Sequence, residues 1–349
     1  MRWLVVHPGP RWSVADVHAG WVEALTDLGE RVSVYNLDAR LTLYDRALVD
    51  VGKTEDGSLK LRKALTHDQA VALATNGILS ACYQFWPDVV LVISYLFVPA
   101  EVLDLLRSRG HKVVLVHTES PYQDDEQIAL AAHADLNLVN DPTNLDRFRE
   151  VTQAEYVPQA YRPSVHHPGP AHPDLASDLA FVATGFPSRI EFLERMDLDG
   201  LDVLLAGNWQ LLGPDSPLRK WVAHDEKECL DNEQTAAVYR SARAGLNLYR
   251  REAERPELAA GWACGPREIE MAACGLWFAR EPRCEGDELL PLPTFTSPDQ
   301  AGDLIRWFLA HDGPRQAMAA KAREAVADRT FKNAAARLLE LLDRQPATP

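Results

Sequence analysis

Residues Asn247 to Glu281 read NLYRREAERPELAAGWACGPREIEMAACGLWFARE. The stretch begins in an apolar strand (244–249), crosses a loop rich in Glu, Gly and Pro, and continues as a helix (268–274). Pro266 stands just inside the helix start and Gly275 just past its end, where these two residues are favoured. A short apolar strand (276–279) follows at once. The alternation of strand and helix predicts a parallel sheet with crossover helices.

Arginine is concentrated around the start of this helix. Arg250 and Arg251 end the first strand, and Arg267 lies in the first helical turn. A helix N-terminus presents unpaired N–H groups and the positive end of the helix dipole to an anion. The stretch therefore predicts a site for a phosphate-bearing ligand.

The same stretch resembles the donor-binding domain of GT-B glycosyltransferases. Glu270-Met-Ala-Ala-Cys-Gly275 is similar to their E-A-M-A-C-G helix, and the wider block with Asn247 and Arg250 is most similar to the CgeB-like (spore-maturation-protein-B-like) branch. In these enzymes the Glu five residues before the Gly holds the ribose hydroxyls of a nucleotide-sugar, which implies this role for Glu270. Many retaining members carry another Glu eight residues earlier, where this chain has Trp262, so retaining stereochemistry is not carried over.

Length and composition set the limits of the interpretation. A chain of 349 residues is typical of about two domains. Its net charge of −15 argues against a broad nucleic-acid-binding surface. No apolar run is long enough to predict a membrane span. The first residues enter a strand without a signal peptide, and the five cysteines form no C-x-x-C pair. A cytoplasmic, reducing location is therefore expected.

The chain divides at a Pro- and Gly-rich stretch (156–172), on either side of which strands alternate with helices. We expect an α/β fold of two Rossmann-like domains facing a central cleft, the GT-B arrangement. The predicted parts are an acceptor-binding domain (1–160), a nucleotide-sugar-binding domain (161–335) and a helix end with a tail (336–349). Residues 40–60 are predicted to be polar and irregular, and the tail from Gln345 to be disordered.

The donor site is predicted at the carboxyl ends of the second domain's strands. The resemblance implies that Arg189 and one of Arg250 and Arg251 contact the diphosphate, since guanidinium forks to two phosphate oxygens and stays charged. Whether Arg267 and Glu268 face the donor or pair with other charges stays open, and Trp209 fits the base site or the core equally. The donor-binding candidates are Arg189, Asn208, Asn247, Arg250, Arg251, Arg267, Glu268 and Glu270.

The first domain supplies three candidates for the catalytic base. Asp16 and His18 follow the loop 7–13, which includes Trp12 and Ser13, and many inverting GT-B enzymes place a base in this region. Histidine suits the role because its pKa lies near neutrality. Glu119 lies in a strand-end loop, 117–122, similar to a D/E-S-P segment of CgeB-like proteins, and it could instead belong to a helix-capping network at Ser120-Pro121.

Two acidic or histidine-rich clusters could suggest a metal, but neither predicts one. Asp124-Asp125-Glu126 lie in the first turn of a helix, where acids are favoured. His166, His167 and His172 lie in the Pro-rich stretch without supporting carboxylates. We expect no metal and no cofactor beyond the nucleotide-sugar substrate.

The interpretation is a metal-independent glycosyltransferase that moves a sugar from a UDP- or GDP-linked donor to an acceptor hydroxyl. The acceptor stays open between a small molecule, a glycan, a protein and a hydroxymethylated DNA base. The alternatives are a non-catalytic nucleotide-sugar- or glycan-binding protein, which Trp262 keeps open, and another enzyme class on this fold, such as an epimerase or a phosphorylase.

Overall fold

The computed structural model describes residues 1–10, 14–225 and 227–343, with only the backbone of Ala47. Trp12, Ser13 and the predicted tail from Gln345 lie outside these residues. The chain forms two compact units. The first comprises Met1–Ser120, Asp124–Asn140 and Asn144–Tyr156, and the second comprises Pro121–Gln123, Asp141–Thr143 and Val157–Pro349.

The first unit is built on a parallel sheet. Its strands are β1 (Arg2–Val6), β2 (Arg31–Tyr35), β3 (Val49–Lys53), β4 (Leu59–Lys63), β5 (Val89–Ile93), β6 (Lys112–His117), β7 (Leu136–Val139) and β8 (Ala154–Tyr156). Its helices are α1 (Val14–Asp27), α2 (Leu37–Thr42), α3 (His67–Phe85), α4 (Ala100–Ser108), α5 (Asp124–Ala131) and α6 (Leu145–Val151). Six strands lie side by side in the order β2-β1-β5-β6-β7-β8, and each neighbouring pair is parallel.

Burial explains why the central strands are almost wholly apolar. Every residue of β5 (VVLVI) is buried. In a parallel sheet, crossover helices cover both faces, so a central strand has no polar side. Because the strands are parallel, their carboxyl ends lie on one edge of the sheet, where polar loops can collect.

The prediction of an irregular segment over residues 40–60 is wrong. The chain continues as α2, passes through a π-helical turn (Leu43–Ala47) and forms an antiparallel hairpin of β3 and β4. The hairpin alternates apolar and charged residues, but its apolar side is exposed: Leu59 keeps 72% of its surface and Leu61 keeps 67%. Charged residues between the aliphatic ones made the segment look like a loop.

The second unit repeats the plan on a smaller sheet. Its strands are β9 (Ser177–Val182), β10 (Val203–Ala206), β11 (Ala242–Asn247) and β12 (Phe278–Arg280). Its helices are α7 (Pro187–Arg195), α8 (Asn232–Ser241), α9 (Pro266–Cys274), α10 (Cys284–Leu289), α11 (Pro298–Ala310), α12 (Asp312–Ala325) and α13 (Phe331–Asp343). The strands pair in parallel in the order β10-β9-β11-β12.

The predicted fold class, two α/β units on parallel sheets, is confirmed. The short elements β8 and α10 were not predicted. Trp209, left open between base site and core, is fully buried, and its indole donates to the carbonyl of Ala206 at 3.0 Å. All five cysteines are free thiols. Across the described residues, no helix is both long and apolar enough to cross a membrane.

Candidate functional site

The carboxyl edge of the second unit's sheet brings together the loops after β9, β10 and β11. The backbones of the first two loops touch: the N–H of Gly185 donates to the carbonyl of Asn208 at 2.7 Å. Gly207 has φ +102°, and a Cβ there would lie 2.3 Å from the carbonyl oxygen of Ala183. Only glycine fits this position, and it holds Asn208 at the sheet edge.

Two of the predicted phosphate-binding arginines lie together at this edge. The guanidinium of Arg189 is 5.4 Å from the ring centroid of Phe186, and that of Arg250 is 5.7 Å from the same ring. Arg250 also lies 4.2 Å from the ring of Tyr122, which belongs to this unit. Stacking on aromatic rings fixes an arginine while leaving its N–H edge able to bind oxygen.

Backbone carbonyls hold Arg189 in place. Its Nε donates to the carbonyl of Leu248 at 3.0 Å, and Nη1 donates to that of Thr184 at 3.1 Å. Burial lowers the pKa of Arg189 to about 10, so the guanidinium still carries its charge at neutral pH. Arg189 therefore fixes the β9 and β11 loops and supplies positive charge beside Arg250.

A carboxylate already occupies the start of α7. Glu252 accepts from the backbone N–H of Ser188 at 3.0 Å, from the Ser188 hydroxyl at 3.1 Å and from the N–H of Arg251 at 3.0 Å. These hydrogen bonds lower the pKa of Glu252 against the opposing effect of burial, the largest single contribution. The α7 N-terminus, next to Arg189, thus binds an anion that the chain itself provides. No sequence pattern predicts this contact, because 64 residues separate Ser188 from Glu252.

The side chain of Arg251 pairs with Glu281 and does not join the group around Phe186. It is 59% exposed and forms an ion pair of 2.6 Å with Glu281, whose other oxygen accepts from the backbone N–H of Tyr249 at 2.7 Å. Of the two neighbouring arginines, Arg250 is therefore the one grouped with Arg189.

At the start of α9, Arg267 and Glu270 form a pair one helical turn apart. Arg267 Nη1 donates to Glu270 Oε2 at 2.6 Å, and Glu270 is buried. Asn232, the first residue of α8, connects the two: its amide donates to Glu270 at 3.3 Å, and its oxygen accepts from Arg267 at 3.3 Å. Asn232 is a further site residue that no sequence pattern predicts, because 38 residues separate it from Glu270.

Glu268, by contrast, has a structural role. It is fully buried, and its Oε2 accepts from the Tyr249 hydroxyl and from the backbone N–H of Gly265, which caps α9. Burial raises the pKa of Glu268 to about 7 despite these hydrogen bonds. Asn247 is also buried, and its Nδ2 has no hydrogen-bond acceptor among the described residues. The amide of Asn247 therefore keeps N–H groups that can donate to a ligand, whereas Glu268 has none.

Asn208 is half-buried beyond β10. Its side-chain oxygen accepts from the N–H of Gln210 at 3.2 Å. Burial raises the pKa of the Cys229 thiol, which lies beside the backbone of Asn208 and near the charge of Arg267. Asn208 and the Arg267–Glu270 pair therefore border one region.

Where the resemblance would place an acid, the backbone of Trp262 is held by a carboxylate from Asp141. Asp141 Oδ2 accepts from the N–H groups of Trp262 and Ala263, both at 2.9 Å. Arg283, 3.8 Å from the same carboxylate, stacks on the ring of Tyr249 at 3.8 Å. A Cβ at Gly261 would lie about 2.5 Å from Asp141 and Arg283. This cluster fixes the loop that leads into α9.

In the first unit, the candidates for a base have different surroundings. His18 is buried on α1, its ring centroid 4.8 Å from that of His7, and burial lowers its pKa to about 3. The expectation of a near-neutral pKa, on which the prediction of His18 as the base rests, is therefore wrong for this residue. Asp16 is half-buried on the same helix. Glu119 is half-buried after β6, and its backbone N–H donates to Gln127 at 3.2 Å.

The acidic cluster Asp124-Asp125-Glu126 is held by protein partners. Asp124 accepts from the Ser120 hydroxyl at 2.5 Å, Asp125 pairs with Arg147 at 2.8 Å, and Glu126 accepts from Tyr95 at 2.8 Å. Beside Glu119, Ser120 and Asp124 form a buried side-chain network in which the amide of Gln127 donates to both. No group of His, Cys, Asp or Glu side chains suited to a metal occurs in the described ranges.

Comparison with known proteins agrees with this fold. Residues 189–342 match the family model described as Glycosyl transferase-like. No curated protein sequence matches the chain.

Solved structures of similar fold extend over nearly the whole chain. Sucrose-phosphate synthase from Thermosynechococcus elongatus is 15% identical with a TM-score of 0.65, covering 99% of this chain and 98% of its own. Anabaena Alr3699/HepE, solved with UDP-glucose, is 11% identical with a TM-score of 0.59 (98% and 100% covered). An alpha-glucosyltransferase, solved with UDP and a 13-mer DNA containing a HMU base, is 11% identical with a TM-score of 0.63 (98% of each chain covered). Residues 189–342 thus form a glycosyl transferase-like domain within a GT-B fold, and together these findings identify the chain as a transferase enzyme.

Proposed function

We propose that the chain transfers a sugar from a UDP-sugar to an acceptor hydroxyl, and that it belongs to the CgeB-like branch of the glycosyltransferases. The observation that carries the proposal is the grouping of Arg189, Arg250 and the α7 N-terminus at one sheet edge. Helix α9, which carries the Arg267–Glu270 pair, begins beside Asn247 at the same end of β11. Cations and a helix N-terminus suit a diphosphate, and a buried carboxylate suits ribose hydroxyls. UDP is favoured over GDP because Alr3699/HepE and the alpha-glucosyltransferase were solved with UDP-glucose and UDP.

In the proposed reaction, the acceptor oxygen bonds to the anomeric carbon while the bond from that carbon to the diphosphate oxygen breaks. The bonding electrons leave with the nucleoside diphosphate, whose added charge Arg189 and Arg250 stabilise. The acceptor hydroxyl gives up its proton to a base. Asp16 and Glu119 remain the predicted bases, whereas His18, with a pKa of about 3, is a weaker choice.

The position of Glu252 has a consequence for donor binding. Its carboxylate occupies the α7 N-terminus, where the proposed diphosphate also belongs. Two anions cannot share one set of donors, so Glu252 must turn away before the diphosphate reaches Ser188. Donor binding is therefore expected to move the loop that follows β11.

The first experiment is calorimetric titration of the purified chain with UDP, GDP, TDP and ADP. The proposal expects UDP to bind most tightly. An absence of binding by any of the four at millimolar concentration would refute the donor site. Hydrolysis of UDP-sugars to UDP, measured without added acceptor, would then distinguish a transferase from a protein that only binds the donor.

The second experiment removes the proposed ribose contact. Glu270→Ala should weaken UDP binding roughly tenfold, the loss of one or two hydrogen bonds to a charged group. Glu288→Ala, on α10, is the matched control because this Glu lies outside the grouped residues. Equal affinity of the two variants would remove Glu270 from the site.

The salt dependence of acceptor binding distinguishes the possible classes of acceptor. The net charge of −15 favours a glycan or a small molecule over DNA. A hydroxymethylated DNA acceptor would show binding that weakens steeply with salt, and a neutral acceptor would not.

A further inference from the structure

A cavity of about 410 Å³ lies in the second unit, and its lining includes none of the proposed donor-binding residues. It is bounded by the end of α8, the start of β11, the end of α9 and one side of α12. The start of β11, Ala242, lies at the opposite sheet edge from Asn247, where the donor residues group. The cavity volume is in the usual range for small-molecule clefts, roughly 300–1,000 Å³.

The lining is strongly asymmetric in charge. It contains four arginines and neither Asp nor Glu, in a chain whose net charge is −15. The arginines come from separate elements: Arg240 from α8, Arg243 from β11, and Arg315 and Arg323 from α12. A positive cavity on an acidic protein concentrates anions.

Only part of this charge is neutralised by neighbouring carboxylates. Arg243 pairs with Asp178 at 2.8 Å and approaches Asp312 at 3.5 Å, and Arg315 pairs with the same Asp312 at 2.6 Å. Four guanidinium groups thus share two carboxylates, an excess of 4 − 2 = +2.

The other two arginines make no ion pair in the described part of the chain. Arg240 donates to the carbonyl of Val165 at 3.2 Å, which leaves its charge in place. Arg323 is exposed and forms neither a hydrogen bond nor an ion pair with any described residue. Two guanidinium groups are thus available to an external anion.

Much of the remaining wall is apolar, although Gln316 and Tyr239 also line it. Leu276, Trp277 and Ala319 are buried side chains of the lining. The lining suits a ligand that has a phosphate group, which the arginines can bind, and a carbon skeleton, which can pack on the apolar side chains. We propose that this cavity binds a small phosphomonoester, such as a sugar monophosphate, at a site separate from the donor pocket. The inference does not depend on the proposed function.

Helix α9 connects this cavity with the donor residues. Its last residue, Cys274, lines the cavity, and its first turn carries Arg267, which pairs with Glu270. Glu270 lies four residues before Cys274, about 6 Å along α9, and the buried Tyr239 of the lining is near the charges of Arg267 and Glu270. The two sites therefore have different linings but are adjacent and share one rigid element.

Calorimetry with inorganic phosphate and with a hexose monophosphate, at fixed ionic strength, tests the proposal. Ala320, exposed on α12, lines the cavity, whereas Ala317, exposed on the same helix, does not. Ala320→Glu should abolish binding and Ala317→Glu should leave it unchanged. Arg323→Gln should weaken binding about fivefold, the effect of one exposed ionic contact.

Three outcomes would overturn the proposal. They are no binding of either probe at millimolar concentration, an equal loss in the two alanine variants, or displacement of the phosphate by saturating UDP, which would place the phosphate in the donor pocket. Thermal unfolding of the three variants shows whether each is folded. If Ala320→Glu does not fold, Arg323→Gln decides, since Arg323 holds no other residue in place.

Discussion

Glu252 is the residue whose replacement tests the proposed diphosphate site most directly. If its carboxylate must leave the α7 N-terminus before the donor binds, Glu252→Gln should bind UDP more tightly than the wild type does. Glutamine keeps the size of the side chain and one acceptor oxygen, but it loses the charge. The substitution therefore weakens the internal contact without emptying the space.

The magnitude follows from the three hydrogen bonds that Glu252 accepts, at 3.0, 3.1 and 3.0 Å. A hydrogen bond contributes about 1 kcal/mol net and more when one partner is charged. Glu252 is partly exposed, so water recovers some of this when it is displaced. If the substitution removes about half of the free energy of these hydrogen bonds, UDP binding becomes more favourable by about 1.4 kcal/mol, which is roughly tenfold in Kd.

The assay is calorimetric titration with UDP for the wild type, Glu252→Gln and Glu254→Gln. Glu254→Gln removes the same charge two residues away, so it measures the general electrostatic gain. The expected order is a tenfold tighter Kd for Glu252→Gln and less than a twofold change for Glu254→Gln. Equal Kd values for all three proteins would refute the internal-anion hypothesis while leaving the donor site intact. Absence of UDP binding in all three would instead refute the proposed function.

Three further predictions follow from the same unit. Burial raises the pKa of Glu268 to about 7, so ionisation of this group destabilises the folded state. The free energy of unfolding, measured with urea, should therefore fall as the pH rises from about 4.5 to 7, and Glu268→Gln should flatten this slope. Gly185→Ala should lower the unfolding free energy by about 1–3 kcal/mol in the same assay, because its Cβ would lie 2.5 Å from the Trp209 ring. Arg250→Lys should weaken UDP binding roughly tenfold by titration, since an ammonium lacks the planar fork that stacks on Tyr122; an unchanged Kd would exclude Arg250.

Much of the fold could be predicted because local patterns carry it. Helix α3 (His67–Phe85) and strand β7 (Leu136–Val139) lie at the predicted bounds, since an apolar pattern marks both and a capping box marks the start of the helix. The hairpin of β3 and β4 was missed because charged residues stand between its aliphatic ones, a composition that is also typical of an exposed loop. Strand β8 (Ala154–Tyr156) has three residues, too few to show a period.

The candidate site could be predicted only in part. Glu270 and Arg267 lie one helical turn apart, so their proximity follows from the sequence. The contact of Glu252 with Ser188 crosses 64 residues, and that of Asn232 with Glu270 crosses 38. Such pairs form because parallel strands bring distant loops to one sheet edge.

The sequence by itself determined that Asn247–Glu281 forms a strand, a loop, a capped helix and a strand, because hydrophobic period, proline and glycine act within a few residues. Only the tertiary structure decided what the charged residues do. Burial made Glu268 a structural group and lowered the pKa of His18, and long-range contacts placed Glu252 at the start of α7. The physical reason is that desolvation and hydrogen bonding depend on neighbours in space, whereas helix and strand formation depends mainly on neighbours in the chain.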